Sequence, residues 1–477
     1  MSGTEQTSDI IIVGGGLAGL AAARAISKAN NDLSVTILEG RSRLGGRLKS
    51  VDTPSGKKID LGGMWCVVGP LQTYVCSLLE ELKIPVYPQF AEGVNIHDDG
   101  KRLSQYTGTI PNISLFSLLD THLLLGKLDR LARKIDLSAD PLCSRANEFD
   151  GISVSEFCRR HCYTKQAQSL VTTATQMILG YESDEVSLLY FLYYCASAGG
   201  TRPLLDSDGG GQDSRMVGGT ARLLSTLQDE LLASSYDIQF NAKVEYVNYE
   251  CPDGFVSLHC CNGLAYSARQ VIMCCPPCAL ARMEFTPTPP PWKLSMWTRC
   301  QMGNFTKVVV MYALPFWRSA GLSGSCVCEH TNVNRPISGV FDYCDGDGGH
   351  AALCCFVGGA TAISFAGLSL EQQKISVVSH LVHLLGEGAS KEHVIDFHVM
   401  DWRHDPDAVG FGGGGCPVDV PTLGFFRKHA QELRRPLKSP DACDVIHFAG
   451  TETALQWVGY MDGAVESGLR VSKEVLD

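Results

Sequence analysis

The sequence predicts an α/β fold whose first domain is a doubly wound, dinucleotide-binding sheet assembled from separated stretches of chain. Two observations predict it: an N-terminal strand, glycine turn, helix and strand closing on an acid, and late apolar strands that resemble completions of the same sheet. A third is length, because 477 residues exceed one ordinary core and call for two or three domains.

The first unit reads directly from the chain. "DIIIVGGGLAGLAAARAISKAN" runs from β-branched apolar residues through a glycine turn into an alanine-rich helix, and "SVTILEG" supplies the next strand, ending at Glu39. Gly14, Gly16 and Gly19 have the G-x-G-x-x-G spacing, with the acid about 20 residues further on. Glycines there permit the tight turn and let a pyrophosphate approach a helix N-terminus, where unpaired N–H groups and the helix dipole favour negative charge. Glu39 is expected to accept hydrogen bonds from ribose hydroxyls.

The middle of the chain alternates helical patterns, "SVSEFCRRHC" and "AQSLVTTATQMIL", with strands such as "FTKVVVMY". The late strands "VEYVNYE" and "DVIHFAG" are the ones that make the nucleotide domain discontinuous. "AALCCFVGGATAISFAGLSL", Ala351 to Leu370, is the longest uncharged run, but its Gly, Ser and Thr content favours a buried strand entering a turn over a membrane span. "DSDGGGQD" reads as a plain loop and fits no calcium-binding pattern.

Composition narrows the function classes. With 45% hydrophobic and 19% charged residues the chain is globular, and its net charge of −11 argues against nucleic acid and anionic lipid as partners. "MSGTEQTSDIIIV" has no basic n-region and no cleavage site, so the 20 cysteines are expected as reduced thiols in a cytoplasmic protein. Cys275 and Cys278 have C-x-x-C spacing without a second pair at zinc-finger distance, and are expected as buried structural thiols, with no metal site.

Further motifs carry a family resemblance. "LEGRSRLGGRLKS", "IDLGGMWCVVGP", "SAGGTRPLLDSDGGGQDSRMVGGTARL" and "HFAGTETALQWVGYMDGAVESG" together resemble the flavin amine oxidase superfamily over nearly the whole chain, and the last resembles its monoamine oxidase branch in particular. The resemblance implies FAD as cofactor, contacted by Gly14, Gly16, Gly19, Glu39, Arg41, Gly45, Gly46, Arg47, Gly62, Gly63, Val244, Thr451, Gly459, Tyr460 and Met461. Backbone N–H groups and two arginines suit a pyrophosphate, and glycines let a flat ring system lie against main chain. It also implies a second, mixed-sheet α+β domain for substrate. The division expected is 1–90, 206–295 and 400–477 for FAD, and 91–205 and 296–399 for substrate.

The stretch "GFGGGGCPVDVPTLG" holds the sharpest departure. In monoamine oxidases a cysteine after Gly-Gly forms a thioether with the flavin, and Cys416 matches it by its spacing to Gly424 and Pro436. The interval from Trp402 to Cys416 is longer than the family's, and an alternative register sets Phe411 against the flavin and leaves Cys416 unattached. The covalent reading is preferred. The family's next residue is a tyrosine that faces a second one, matched here by Tyr460; Pro417 cannot supply that ring, so Phe411, Phe425 or Phe426 is expected to rebuild it.

Lys307 matches the superfamily lysine that holds a water to the reactive flavin nitrogen, and a lysine amid β-branched residues is costly to bury without a role. Gln212, Phe356 and Trp65 match cavity positions, and no arginine stands where L-amino-acid oxidases carry their carboxylate anchor. The expected activity is therefore FAD-dependent oxidation of an amine to an imine, hydrolysed to an aldehyde and ammonia, with dioxygen reduced to hydrogen peroxide. Lys307 and Tyr460 are the catalytic residues expected, and Trp65, Gln212, Phe356 and Pro417 the substrate pocket. The alternatives are a polyamine oxidase or another flavin amine oxidase, or an FAD-binding protein that has lost amine oxidation. The small-molecule partners expected are an amine and dioxygen, and related oxidases make a homodimer an open option. Membrane-bound members carry a C-terminal apolar helix, which "SKEVLD" does not resemble, so no membrane span is expected.

Overall fold

The computed structural model describes residues 6–30, 32–54, 56–140, 142–206, 209–250, 254–346, 351–405, 416–428 and 430–477. Phe411 and the glycines preceding Cys416 lie outside them.

The first strand, Gln6–Val13, ends in four buried residues, Ile10 to Val13, so it belongs inside a sheet covered on both faces. It pairs in parallel with Val35–Leu38 on one side and Ala265–Met273 on the other. Asp237–Gln239 extends the sheet beyond Val35–Leu38, and Asp444–Phe448 runs parallel to the end of Ala265–Met273. Register brings Gln239, Leu38, Val13, Met273 and Phe448 to one level. The carboxyl ends of these strands therefore open together, the place where such sheets hold ligands. The other half of Ala265–Met273 pairs antiparallel with Val256–Cys260, which leads on to Val244–Asn248 and Glu284–Thr286. "VEYVNYE" thus joins the same sheet through its antiparallel arm.

Helix Leu17–Ala29 covers one face and packs against the C-terminal helix Met461–Leu476. The approach is close: a Cβ on Gly468 would lie 2.5 Å from the Ala18 carbonyl oxygen.

A second sheet is mixed. Its order is Val394–Asp401, Phe305–Tyr312, Ala351–Gly358, Gly339–Asp342, Leu322–Cys328, Val94–Asp98, Leu103–Tyr106, antiparallel except where Leu322–Cys328 runs parallel to Val94–Asp98. Both Phe305–Tyr312 and Ala351–Gly358 are buried at every residue. The long uncharged run is this strand followed by helix Gly359–Ala366; the expected turn is absent because Gly358 serves as an extended N-cap and the chain enters the helix at once.

Helices Leu115–Ala132, Val154–His161, Lys165–Leu179 and Leu188–Ser197 form a layer beside this sheet. Each begins at a Ser or Thr, namely Ser114, Ser153, Thr164 and Ser187, whose side chain accepts the backbone N–H three residues on. Among the described residues no helix is long and apolar enough to cross a membrane.

Candidate active site

One cavity of about 1150 Å³ runs from the carboxyl ends of the parallel strands to the second sheet and the helical layer. Its nucleotide end is built by backbone. Gly14 turns at φ +109°, a conformation open to glycine, and Gly16 is the extended N-cap of helix Leu17–Ala29, whose first turn carries no acid. Gly46 faces Gly16 so closely that a Cβ on it would lie 3.4 Å from the Gly16 Cα, and Gly45 N–H donates to the Gly15 carbonyl at 2.8 Å. Glu39 is buried on the cavity wall, where its carboxylate accepts the N–H groups of Gly15 and Arg41, each at 2.8 Å. It therefore pins the glycine turn and the Arg41 loop to each other. Gly62, Gly63, Val244, Thr451, Gly459 and Met461 also border the cavity.

Gly19 is placed differently from expectation, since it does not border the cavity. A Cβ there would lie 2.1 Å from the Gly14 carbonyl oxygen, so its missing side chain sets the contact between helix and glycine turn instead of facing a ligand. Arg47 borders the cavity, but its guanidinium is engaged: it donates to both Glu452 carboxylate oxygens, at 2.7 and 3.0 Å, and to the Pro417 carbonyl at 2.7 Å. The Glu452 carboxylate holds its pKa above the ordinary arginine value despite burial. The pair anchors the start of the segment after Cys416. Asp419, buried two residues further on, is pushed up to about 7 by desolvation, with the Glu452 charge adding to it.

The other end of the cavity collects the candidate catalytic groups. Lys307, on the fully buried strand, sits opposite Phe356 on one side and Met400 on the other. Its ammonium group is 3.0 Å from the Gly62 carbonyl and 2.9 Å from Met64 Sδ, and burial lowers its pKa. Cys416 and Pro417 border the same space, with the Cys416 thiol pushed up to about 11 by burial while Arg47 and Lys307 oppose the rise. Trp65 lies edge-on to Phe341 at 5.0 Å and to Phe356 at 5.6 Å, and its indole N–H donates to Gln89 Oε1 at 2.8 Å. Phe305 is 5.1 Å from Phe356. Gln212 is half-buried on the wall. Thr451 fixes the loop holding Tyr460: its hydroxyl donates to the Tyr460 carbonyl at 3.0 Å and accepts the Gly459 N–H at 2.7 Å.

The ring beside Tyr460 is not one expected from sequence. Phe426 is buried against Tyr190 and Tyr193, at 5.1 and 4.9 Å, and Phe425 lies under Arg299 at 4.8 Å; neither borders the cavity. Both fold into the helical layer because their apolar rings find a complete core there. Tyr194, from helix Leu188–Ser197, lies 6.2 Å from Tyr460 at an interplanar angle of 43°, and both rings border the cavity. A tyrosine on the fully apolar face of "LLYFLYYCAS" was the available signal. Phe305, Phe341 and Trp402, together with Met302, complete the apolar wall and were likewise missed. Cys278 is buried, its N–H neighbour to Asp419, whereas Cys275 faces the cavity and is not simply core.

The cradle fits a dinucleotide: the facing Gly16 and Gly46 leave a slot that a Cβ would narrow, the N-terminus of helix Leu17–Ala29 borders it, and Glu39 stands beside it. The class is thereby defined as an α/β dinucleotide-binding enzyme with an aromatic chamber. The family model for flavin-containing amine oxidoreductases matches residues 17–476, and the chain belongs to that family, which implies FAD as its cofactor. It is similar to the putative flavin-containing monoamine oxidase AofH of Mycobacterium tuberculosis, 33% identical over 98% of this chain and 96% of that one. It is 29% identical to human amine oxidase [flavin-containing] B over 98% of this chain and 86% of the relative. Among solved structures, putrescine oxidase bound to putrescine superposes with a TM-score of 0.89 at 25% identity over 99% of both chains. Cyclohexylamine oxidase from Brevibacterium oxydans IH-35A superposes at 0.87, with 24% identity over 98% of both, a likeness of fold.

Proposed function

We propose that this chain is an FAD-dependent amine oxidase of the monoamine oxidase kind. The observation that carries the reading is a single cavity joining the glycine cradle to an aromatic chamber, with a buried lysine at the junction. FAD, held by the glycine turn, the Arg41 loop and Glu39, would supply the two-electron redox chemistry by which an amine becomes an imine and dioxygen becomes hydrogen peroxide, and water hydrolyses the imine to aldehyde and ammonia. The rings of Trp65, Phe341, Phe356 and Phe305 exclude water and so favour the neutral amine, the form whose lone pair oxidation requires. Tyr460 and Tyr194 stay protonated, since burial raises both above the ordinary phenol value, and they offer ring faces instead of a charge that would trap an ammonium. Lys307, its charge disfavoured by burial, would position the water or oxygen species at the reacting edge. Cys416 borders the chamber where a thioether to the cofactor would form, with Arg47 and Glu452 fixing the backbone beside it. The domain division 1–90, 206–295 and 400–477 against 91–205 and 296–399 is part of the proposal; the two large sheets support it, although strand Val394–Asp401 crosses the 399/400 boundary and Cys300–Met302 pairs with Asp419–Pro421 across it.

A second reading, oxidation of a diamine or polyamine, is favoured by two carboxylates on the wall, Asp129 and Asp206. Asp206 is already paired with Arg202 at 2.7 Å, which offsets its charge and leaves Asp129 as the anchor for a distal ammonium. The test is peroxide release from FAD-loaded protein with arylalkyl amines, aliphatic monoamines, putrescine, longer polyamines and L-amino acids. Turnover confined to monoamines supports the first reading, and preference for diamines moves the assignment to the second. Silence across the panel from a flavin-loaded protein refutes both and leaves a flavin-binding protein without amine oxidation.

A further inference from the structure

A buried cation without a carboxylate partner stands near Lys307. Arg215 is 4% exposed on strand Ser214–Met216, where it lies opposite Trp65 on one side and Tyr87 on the other. Its guanidinium lies 5.0 Å from the centre of the Tyr87 ring and 4.4 Å from that of Tyr343, and it donates to the Cys344 carbonyl. No carboxylate pairs with it among the described residues, and its Nε is buried without a hydrogen-bond partner. The faces of two tyrosines take the place of a counterion. Lys307 Nζ lies 5.5 Å from the centre of the same Tyr343 ring, so the two cations are within about 10 Å of each other. Lys307 borders the cavity, whereas Arg215 and Tyr343 do not. Of the acids nearby, Asp342 is bonded to Arg318, Asp345 to Lys57, and Asp60 to Ser50 and Thr220.

We propose that Arg215 is a positioning residue for Lys307: its uncompensated charge, held beside the Tyr343 ring, biases the Lys307 side chain toward the neutral amine at the junction of the cavity. The strand neighbours of Lys307, Phe356 and Met400, carry no charge. The thiols of Cys354 and Cys416, each pushed up to about 11 by burial, are uncharged at neutral pH, which leaves Asp60 and Arg215 as the charges acting on Lys307. Burial is the larger cause of its lowered pKa; Asp60 opposes the fall and Arg215 adds to it. Tyr343 and Tyr87 stay protonated, burial raising the first well above the ordinary phenol value and the second to about 12. At an effective dielectric of about 20, one charge at about 10 Å moves the pH at which Lys307 loses its proton by about one pH unit. A neutral amine accepts a hydrogen bond from water while it still donates to the Gly62 carbonyl, whereas an ammonium only donates. The consequence for reoxidation rests on the reading as an amine oxidase; the coupling of the two charges does not.

The experiment is urea unfolding of the FAD-loaded chain from pH 6 to 10 for wild type, Arg215→Met and Arg215→Lys, each with and without Lys307→Met, with flavin absorbance to verify folding. The folded pKa of Lys307 lies below the unfolded value of about 10.4, so the stability it contributes rises with pH from the folded value upward, and each Lys307→Met partner lacks that rise. Arg215→Met is expected to delay the start of the rise by about one pH unit, and Arg215→Lys, which keeps the charge, to leave it in place. The pH profile of stopped-flow reoxidation by dioxygen is expected to move upward by the same amount in Arg215→Met. Where Arg215→Met does not fold, Arg215→Gln, which retains an N–H donor, takes its place. A rise that starts at the same pH with and without Arg215, or that Arg215→Lys delays as far as Arg215→Met, overturns the proposal, because Arg215 would then serve packing alone. Lys307→Met reoxidising at the wild-type rate overturns instead the reading of Lys307, and the positioning role falls with it.

Discussion

Lys307→Met tests whether a buried lysine is retained for chemistry at the expense of stability. Lys307 is 2% exposed, and among the described residues its ammonium bonds the Gly62 carbonyl and Met64 Sδ, neither of them an anion, and lies 5.5 Å from the centre of the Tyr343 ring. Desolvating such an ion costs several kcal/mol in practice, of which methionine, with nearly the same shape, removes most. Against this, the Gly62 carbonyl loses its donor, worth roughly 1–3 kcal/mol. The two nearly cancel, so the variant is expected within about 2 kcal/mol of wild type at pH 7, on either side. The pH dependence is directional: the folded pKa lies below the unfolded value of about 10.4, so stability from this group is present above about 10.4 and lost as pH falls through the folded value. Raising pH toward 10 therefore stabilises wild type relative to the variant. Urea unfolding at pH 7 and 9.5 reads this, and stopped-flow reoxidation by dioxygen reads the chemistry, expected to slow on the order of 100-fold. A variant that is strongly destabilised at pH 7 yet reoxidises normally would refute the reasoning, because Lys307 would then be structural.

Three further outcomes follow from the geometry. Gly19→Ala sets a Cβ 2.1 Å from the Gly14 carbonyl, and since both are backbone the turn must move; a loss of about 1–3 kcal/mol is expected in urea unfolding, with weaker FAD retention on gel filtration. Asp419, pushed up to about 7, contributes stability that is present below the unfolded value near about 3.9 and lost as pH rises through about 7. Asp419→Asn should therefore flatten the fall in thermal midpoint between pH 5 and 8, and an unchanged slope would place the titration elsewhere. If Cys416 is bonded to flavin, acid-precipitated wild type stays yellow and Cys416→Ser releases its flavin to the supernatant. Release from wild type as well would make the cofactor non-covalent, in keeping with a thiol held protonated up to about 11.

What was legible in the sequence is what neighbours along the chain decide among themselves. The strand, glycine turn and helix of Gln6–Ala29 needed only β-branched residues, glycines and alanines in succession, and the acid at Glu39 followed at fixed distance. Lys307 announced itself because a charge stood within "FTKVVVMY". Tertiary structure alone decided which distant groups meet. Arg47 stands on the cavity wall as expected, but nothing in the sequence signalled that Glu452, 405 residues away, would grip both of its terminal nitrogens. Phe425 and Phe426 read as cage rings until packing takes them into the helical layer, and Tyr194 reads as core until its helix turns it toward Tyr460. Leu115, Phe116, Leu119 and Leu123 have the same letters whether covered or bare, and only the packing of the described residues leaves them exposed. Burial and pairing are properties of where separate segments pack, and a local pattern holds no information about the partner that closes over it.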